Sequence, residues 1–141
     1  MALTDVGMGV ITATINATAV YAEGSCGVEG DISAGKPIGW SAPVDAVLVN
    51  RQYTASVTTN EVNATLIADV WGDTAATLGA ATASLATTSI SFVFPGGTFA
   101  LALCYADLSS QVSSAEGDVE SMTASFKGLS TTGAAAQGSW T

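Results

Sequence analysis

Between residues 87 and 129 apolar side chains recur at every second position on both sides of a Pro-Gly-Gly step, a spacing that suits an extended chain and not a helix. Ile90, Phe92 and Phe94 fall on one face, because successive strand residues point to opposite sides. Pro95-Gly96-Gly97 supplies the turn. Phe99, Leu101, Leu103 and Tyr105 then resume the alternation, and the opposite face carries only Ala100, Ala102, Cys104 and Ala106, small enough for another backbone to approach closely. A stretch rich in Ser, Gly and acid at 109–118 reads as a loop, and Met122, Ala124 and Phe126 alternate with Ser121, Thr123 and Ser125 in a third strand. The unit predicts antiparallel β structure and contains no catalytic group.

The rest of the chain supports one domain over 1–141, a length sufficient to bury most of the surface of the unfolded form. Residues 9–21 alternate as one strand, or as two with a turn near Asn16. Residues 22–40 hold five glycines, a proline and three acids without an apolar period, which predicts a long loop. Loops of that length tend to be functional or mobile, so this one either reaches a neighbouring subunit or is a surface insertion. An apolar run at 44–49 and an alternating one at 53–58 are separated by Asn50-Arg51, read as a hairpin turn or as a bulge in one long strand. Over 60–71 the period changes: Val62, Leu66, Ile67, Val70 and Trp71 share one helical face. Alternation of Val62, Ala64, Leu66, Ala68 and Val70 would also suit a strand, but Ile67 and Trp71 fit only the helix. Thr59 or Asn60 would cap it, with Glu61 in the first turn and Gly72 as the stop. Residues 73–88 are weakly patterned, and 130–141 read as a flexible tail with Trp140 as its adhesive residue. The expected fold class is mainly β with one short α-helix.

Only 11% of residues are charged, against about 25% in ordinary soluble domains, and mean hydropathy is +0.44. Such a chain either enters a membrane or covers much of its outside. The uncharged run at 74–106 is rich in Thr and Ser and is split by Pro95-Gly96-Gly97, unlike a spanning helix. A transmembrane barrel would need an export signal and about eight regular strands. Asp5 and the lack of a basic leader lead to the expectation of a protein kept inside the cell. Self-association is the remaining way to cover the surface, since interfaces are depleted in Lys and Glu. The net charge of −9, with only Lys36, Arg51 and Lys127 as cations, leaves no basic footprint for gripping nucleic acid. The acids serve solubility, and would make any contact with DNA non-adhesive.

The absence of histidine removes the usual base for Ser and Cys nucleophiles and the commonest transition-metal ligand. Glu116, Asp118 and Glu120 form the one dense acidic cluster. A glycosidase pair or a calcium site could be built from it, but Ser and Gly around it favour a solvated loop, and the EF-hand spacing is missing. Gly24, Gly27 and Gly30 lead into no helix and make no phosphate loop. Cys26 and Cys104 form neither a CxxC pair nor a zinc site; Cys104 reads as a packing residue and Cys26 as an exposed thiol. Asn16-Ala17-Thr18 and Asn63-Ala64-Thr65 match the glycosylation pattern, which has meaning only for a secreted chain. No enzymatic activity, metal or cofactor is expected.

The hairpin with its Pro-Gly-Gly turn, the Tyr105-Ala106 pair, the acidic Ser-rich stretch at 109–118 and the final Phe126-Lys127-Gly128 resemble the C-terminal part of tail tube proteins of tailed bacteriophages. Trp71-Gly72-Asp73-Thr74 and Leu78-Gly79 fit the same likeness, which covers about the second half of the chain. The resemblance implies a β-sandwich or half-barrel with one helix, completed into a larger β-barrel by oligomerisation, with homohexameric rings stacking into a hollow tube through which DNA passes without specific binding. It implies a virion protein, assembled in the host bacterial cytoplasm, with sheath, tape-measure and terminator proteins as further partners and no membrane. On that reading Asp45 and Glu120 are candidates to face the lumen. Glu23, Glu29, Asp31, Lys36 and Trp40 of the 22–40 segment, with Trp140, are candidates for contacts between rings, and the small face of Ala100, Ala102 and Cys104 for contacts between subunits. The rivals are a capsid decoration protein and the tube subunit of a contractile injection or type VI secretion system.

Overall fold

Asn16 and Ala17 adopt left-handed backbone angles (φ 45° and 70°), which reverses the chain inside the alternating segment at 9–21. Two-residue hairpin turns with positive φ at both positions match the twist of the flanking strands. In this computed structural model, which describes residues 11–71, 87–130 and 136–141, the turn joins β1 (Ile11–Ile15) to β2 (Thr18–Gly35). Ile15 pairs with Thr18, so the inward face passes from Ile11, Ala13 and Ile15 to Val20 and Ala22, and Tyr21 turns outward. β3 (Asp45–Thr59) returns along β2, α1 (Ala64–Trp71) follows, and β4 (Thr87–Phe94), β5 (Gly97–Ala106), β6 (Gln111–Ser113), β7 (Ser121–Gly128) and β8 (Gly138–Trp140) complete the order.

The chain is mainly β, with one short helix. Its strands lie in the order β6-β7-β3-β2-β1-β4-β5-β8, and every pairing is antiparallel. An additional pairing of Cys104–Ala106 with Phe126–Gly128 joins β5 to β7, closing six strands into a barrel and removing those edges. β6 continues the sheet beyond β7, and β8 covers the other half of the β5 edge at Phe99–Leu101. The interior is filled by the alternating residues of all six strands, among them Ile15, Val57, Ile90, Phe92, Leu101 and Phe126, each at most 1% exposed. Leu66 and Val70, one helical turn apart, bury the apolar stripe of α1 in the same core.

Several expectations from the sequence are corrected here. The 22–40 segment is not a loop: β2 runs through it to Gly35, because β3 offers a full-length partner whose ladder outweighs weak local propensity. Of the two readings of Asn50-Arg51, the bulge in one long strand is the one formed, lying opposite Gly30 between the pairs Glu29–Gln52 and Asp31–Val49. The helix begins at Ala64, and its cap is Asn63, whose Oδ1 accepts from the Leu66 amide at 3.0 Å. The 109–118 segment contains β6, paired to β7. The 130–141 segment ends in β8, fixed by hydrogen bonds between Thr98 and Thr141 of 2.8 and 2.9 Å. Gly72, Asp73, Thr74, Leu78 and Gly79 lie outside the described residues.

β5 departs from regular alternation as well. Thr88 pairs with Cys104 but Ile90 with Leu101, so Ala102 and Leu103 together face Ser89 in a bulge. The register slip puts Cys104 on the face of Leu101, fully buried, and leaves Ala102 exposed. Cys104 is therefore a core residue and not part of an outward small face.

Candidate interaction surface

β2 pairs with β1 only at Thr18–Ala22, and β3 pairs with β7 only at Thr54–Thr59. Past those points the two strands, among the described residues, form a ladder only with each other. Every residue from 27 to 51 is exposed, so this is a two-stranded ribbon standing off the barrel. The eight residues from Val28 to Gly35 give it a reach of about 25 Å at 3.3 Å per residue.

The two faces differ in chemistry. Ile32 opposite Leu48 and Ala34 opposite Ala46, with Val28 nearer the root, make one face apolar apart from Arg51 at its root. The other carries Glu29, Asp31, Ser33 and Asp45 with Val47 and Val49. At the tip Val44 donates to the Gly35 carbonyl (2.9 Å) and Trp40 to that of Pro37 (3.1 Å), the latter turn having Gly39 at φ 85° where a side chain would be strained. Ile38 is fully exposed there, and Trp40 is 58% exposed. Large apolar side chains presented together in this way mark surfaces that meet a partner.

The root is braced to the barrel. Lys127 Nζ lies 3.2 Å from Glu29 Oε1, and that hydrogen bond and charge hold the lysine above its ordinary pKa. Gln137 stands in for a strand: its Oε1 accepts from the Tyr53 amide and its Nε2 donates to the Arg51 carbonyl, both at 2.8 Å. The Arg51 guanidinium lies 5.7 Å from the centre of the Tyr53 ring. Val28 and Leu48 of the ribbon, with Tyr53, Phe99 and Trp140, line an open groove of about 960 Å³ beside this root.

Of the residues singled out in the sequence, Glu29, Asp31, Lys36, Trp40 and Asp45 gather on the ribbon, whereas Glu23 sits on the barrel part of β2 opposite Thr58. Asp45 and Glu120 are not brought together. Glu120 precedes β7 beside the Thr59 end of β3, roughly 45 Å along that strand from Asp45. Trp140 stacks on Phe94 with ring centres 5.7 Å apart, and half-buried Ala100 lies between Ser91 and Ser139. Among the described residues no three His, Cys, Asp or Glu side chains converge to hold a metal ion, so Glu116, Asp118 and Glu120 do not form such a site. No helix among these residues is long and apolar enough to cross a membrane.

Sequence reasoning missed Val28, Ile32 and Ala34 as one face of a strand. The signal was present, with acids at 29 and 31 falling between apolar positions, but the glycines at 24, 27, 30 and 35 masked it. Gln137 gave no signal, because its role depends on Arg51 and Tyr53, more than 80 residues earlier. No protein-family model matches the chain, and no curated protein sequence matches it.

Proposed function

We propose that this chain is a structural subunit that works by assembling with copies of itself, specifically the subunit of a phage tail tube whose stacked rings, six copies in each, conduct DNA. The observation that carries this reading is the ribbon. An isolated two-stranded hairpin is marginal in water, and this one exposes Ile32, Ile38, Trp40, Val47 and Leu48 at 56% or more. A ribbon of this kind gains its stability by being covered. Since it differs from the barrel it would rest against, the contact is head-to-tail, the kind that builds rings and filaments.

The sparse charge of the chain suits repeated burial, and the acids Glu29, Asp31 and Asp45 suit a channel that must not hold a polyanion. A larger barrel made from several chains would draw on the ribbons, because the barrel edges are already closed. Tape-measure and terminator proteins, and in a contractile tail a sheath, would be the further partners. Negative-stain microscopy with light scattering on the purified chain tests the reading: rings or tubes with a central hole are expected. Monomers that persist at high concentration would overturn it, and monomers that bind purified capsid shells would favour a decoration protein instead.

A further inference from the structure

We infer that the groove beside the ribbon root is a binding site for a medium-chain fatty acid, in which Arg51 takes the carboxylate and Val28, Leu48, Phe99 and Trp140 take the hydrocarbon chain. At about 960 Å³ the groove lies near the top of the size range of small-molecule sites, roughly 300–1,000 Å³. Its floor is continuous with the barrel core, because Phe99 belongs to that core and Cys26 and Tyr53 pack against it. A chain that stayed monomeric would present the same groove, so the site is independent of assembly.

Charge selects the head group. The chain has twelve acids and three cations, yet no acid lines the groove and Arg51 is its single charged residue. Lys127 is paired with Glu29 and Lys36 stands beyond the end of β2, whereas the Arg51 guanidinium has no carboxylate partner among the described residues. It lies over the Tyr53 ring instead, a stack that holds the guanidinium while its N–H edges stay open to a carboxylate. The bulge in β3 puts it there. Leu48 and Arg51 would point to opposite faces of a regular strand, but the register step between Glu29 and Asp31 brings both to the groove. Asn50 takes up that step at φ 58°, a left-handed conformation that Asn tolerates better than most residues.

The walls suit a fatty acid better than a peptide. Backbone groups beside Arg51 are already engaged: Gln137 takes the Tyr53 amide and the Arg51 carbonyl, and β8 pairs with β5 over Phe99–Leu101. A peptide would bring amides that find no partner there, each costly to bury. A fatty acid brings one polar group, and that group meets a guanidinium with the planar fork that matches a carboxylate.

Calorimetric titration of the full chain with decanoate, kept below its micelle concentration, tests the site beside decanol and decyltrimethylammonium, which share the hydrocarbon chain. Saturable uptake of decanoate is expected, with no uptake of the cation. Arg51→Gln should weaken decanoate at least about tenfold, as for loss of a charged hydrogen bond, and Arg51→Lys should recover part of it. Leu48→Asp, which puts an acid in the wall, should weaken it as much or more, with circular dichroism checking that each variant folds. No uptake of decanoate, or uptake that decanol matches or that Arg51→Gln leaves unchanged, would overturn the assignment. Tighter binding of an acetylated apolar hexapeptide with a free C-terminal carboxylate would overturn it in favour of a protein terminus. Dimers that Arg51→Gln dissolves, without uptake of decanoate, would overturn it in favour of a second copy.

Discussion

The Cys104 thiol is fully buried between β4 and β7, where its Sγ donates to the Thr88 carbonyl at 3.4 Å and burial pushes its pKa up to about 11 from 9.0. The folded state thus keeps the thiol neutral in a range where the unfolded chain ionises. Its contribution to stability is fully present below pH 9 and is lost as the pH rises through 11. Thermal unfolding midpoints measured across that window should fall more steeply for the natural chain than for Cys104→Ala. Cys26 is partly exposed, so a thiol reagent at pH 8 should label it in the folded protein and reach Cys104 only after unfolding. Equal labelling rates would show that the bulge is not formed. Cys104 also marks how far single residues were legible. The alternation of Phe99 and Leu101 placed the start of β5 correctly, but nothing in Ala102-Leu103 announces the two-for-one step, which arises from pairing with Ser89 on another strand.

Among the elements, those with a strong local period were legible and those held by partners were not. Ile67 and Trp71 separated helix from strand in α1, because each directly follows Leu66 or Val70, and adjacent residues share a face of a helix but point to opposite faces of an extended chain. The cap was misplaced by three or four residues because Glu61, expected in the first turn, instead accepts from the Tyr21 amide at 2.8 Å and leaves Asn63 to cap. β8 is the extreme case, a three-residue strand that exists through its partners: Trp140 stacks on Phe94 and approaches Phe99, while Gly138 packs against β5. A Cβ on Gly138 would run into the Ala100 carbonyl oxygen and come within 2.8 Å of the Leu101 side chain. Gly138→Ala should therefore lift β8 and cost about 1–3 kcal/mol, the usual penalty for overpacking. An unfolding free energy from urea titration lowered by that amount, with tryptophan emission shifted to the red as Trp140 loses Phe94, is the expected result; an unchanged midpoint and spectrum would mean that β8 has no such hold on β5.

At the scale of the whole molecule the barrel and the ribbon answer to different forces. Six strands close within one chain around a core that includes Phe92, Phe126, Ile15 and Val57, while no residue from 27 to 51 is buried. Stability on this account belongs to the barrel and association to the ribbon, and the two are separable by excision. Ile32 and Leu48 are register partners, so replacing residues 33–47 by Asn-Gly joins them through a two-residue turn that suits the twist of the strands. The shortened chain loses no core contact and closes a shorter loop, so its stability should stay within about 1 kcal/mol of the parent. Its ability to form rings or tubes should disappear in light scattering and electron microscopy. A milder variant, Val47→Lys with Val49→Lys, keeps the full ribbon but guards its β3 edge in the way natural edge strands are guarded. It should fold as well as the parent and assemble poorly, because lysines along the edge would have to be desolvated when a second strand covers it. If either variant assembles like the parent, the ribbon is not the joint between copies, and association must run through the barrel wall, the groove beside Trp140, or the exposed bulge at Ala102.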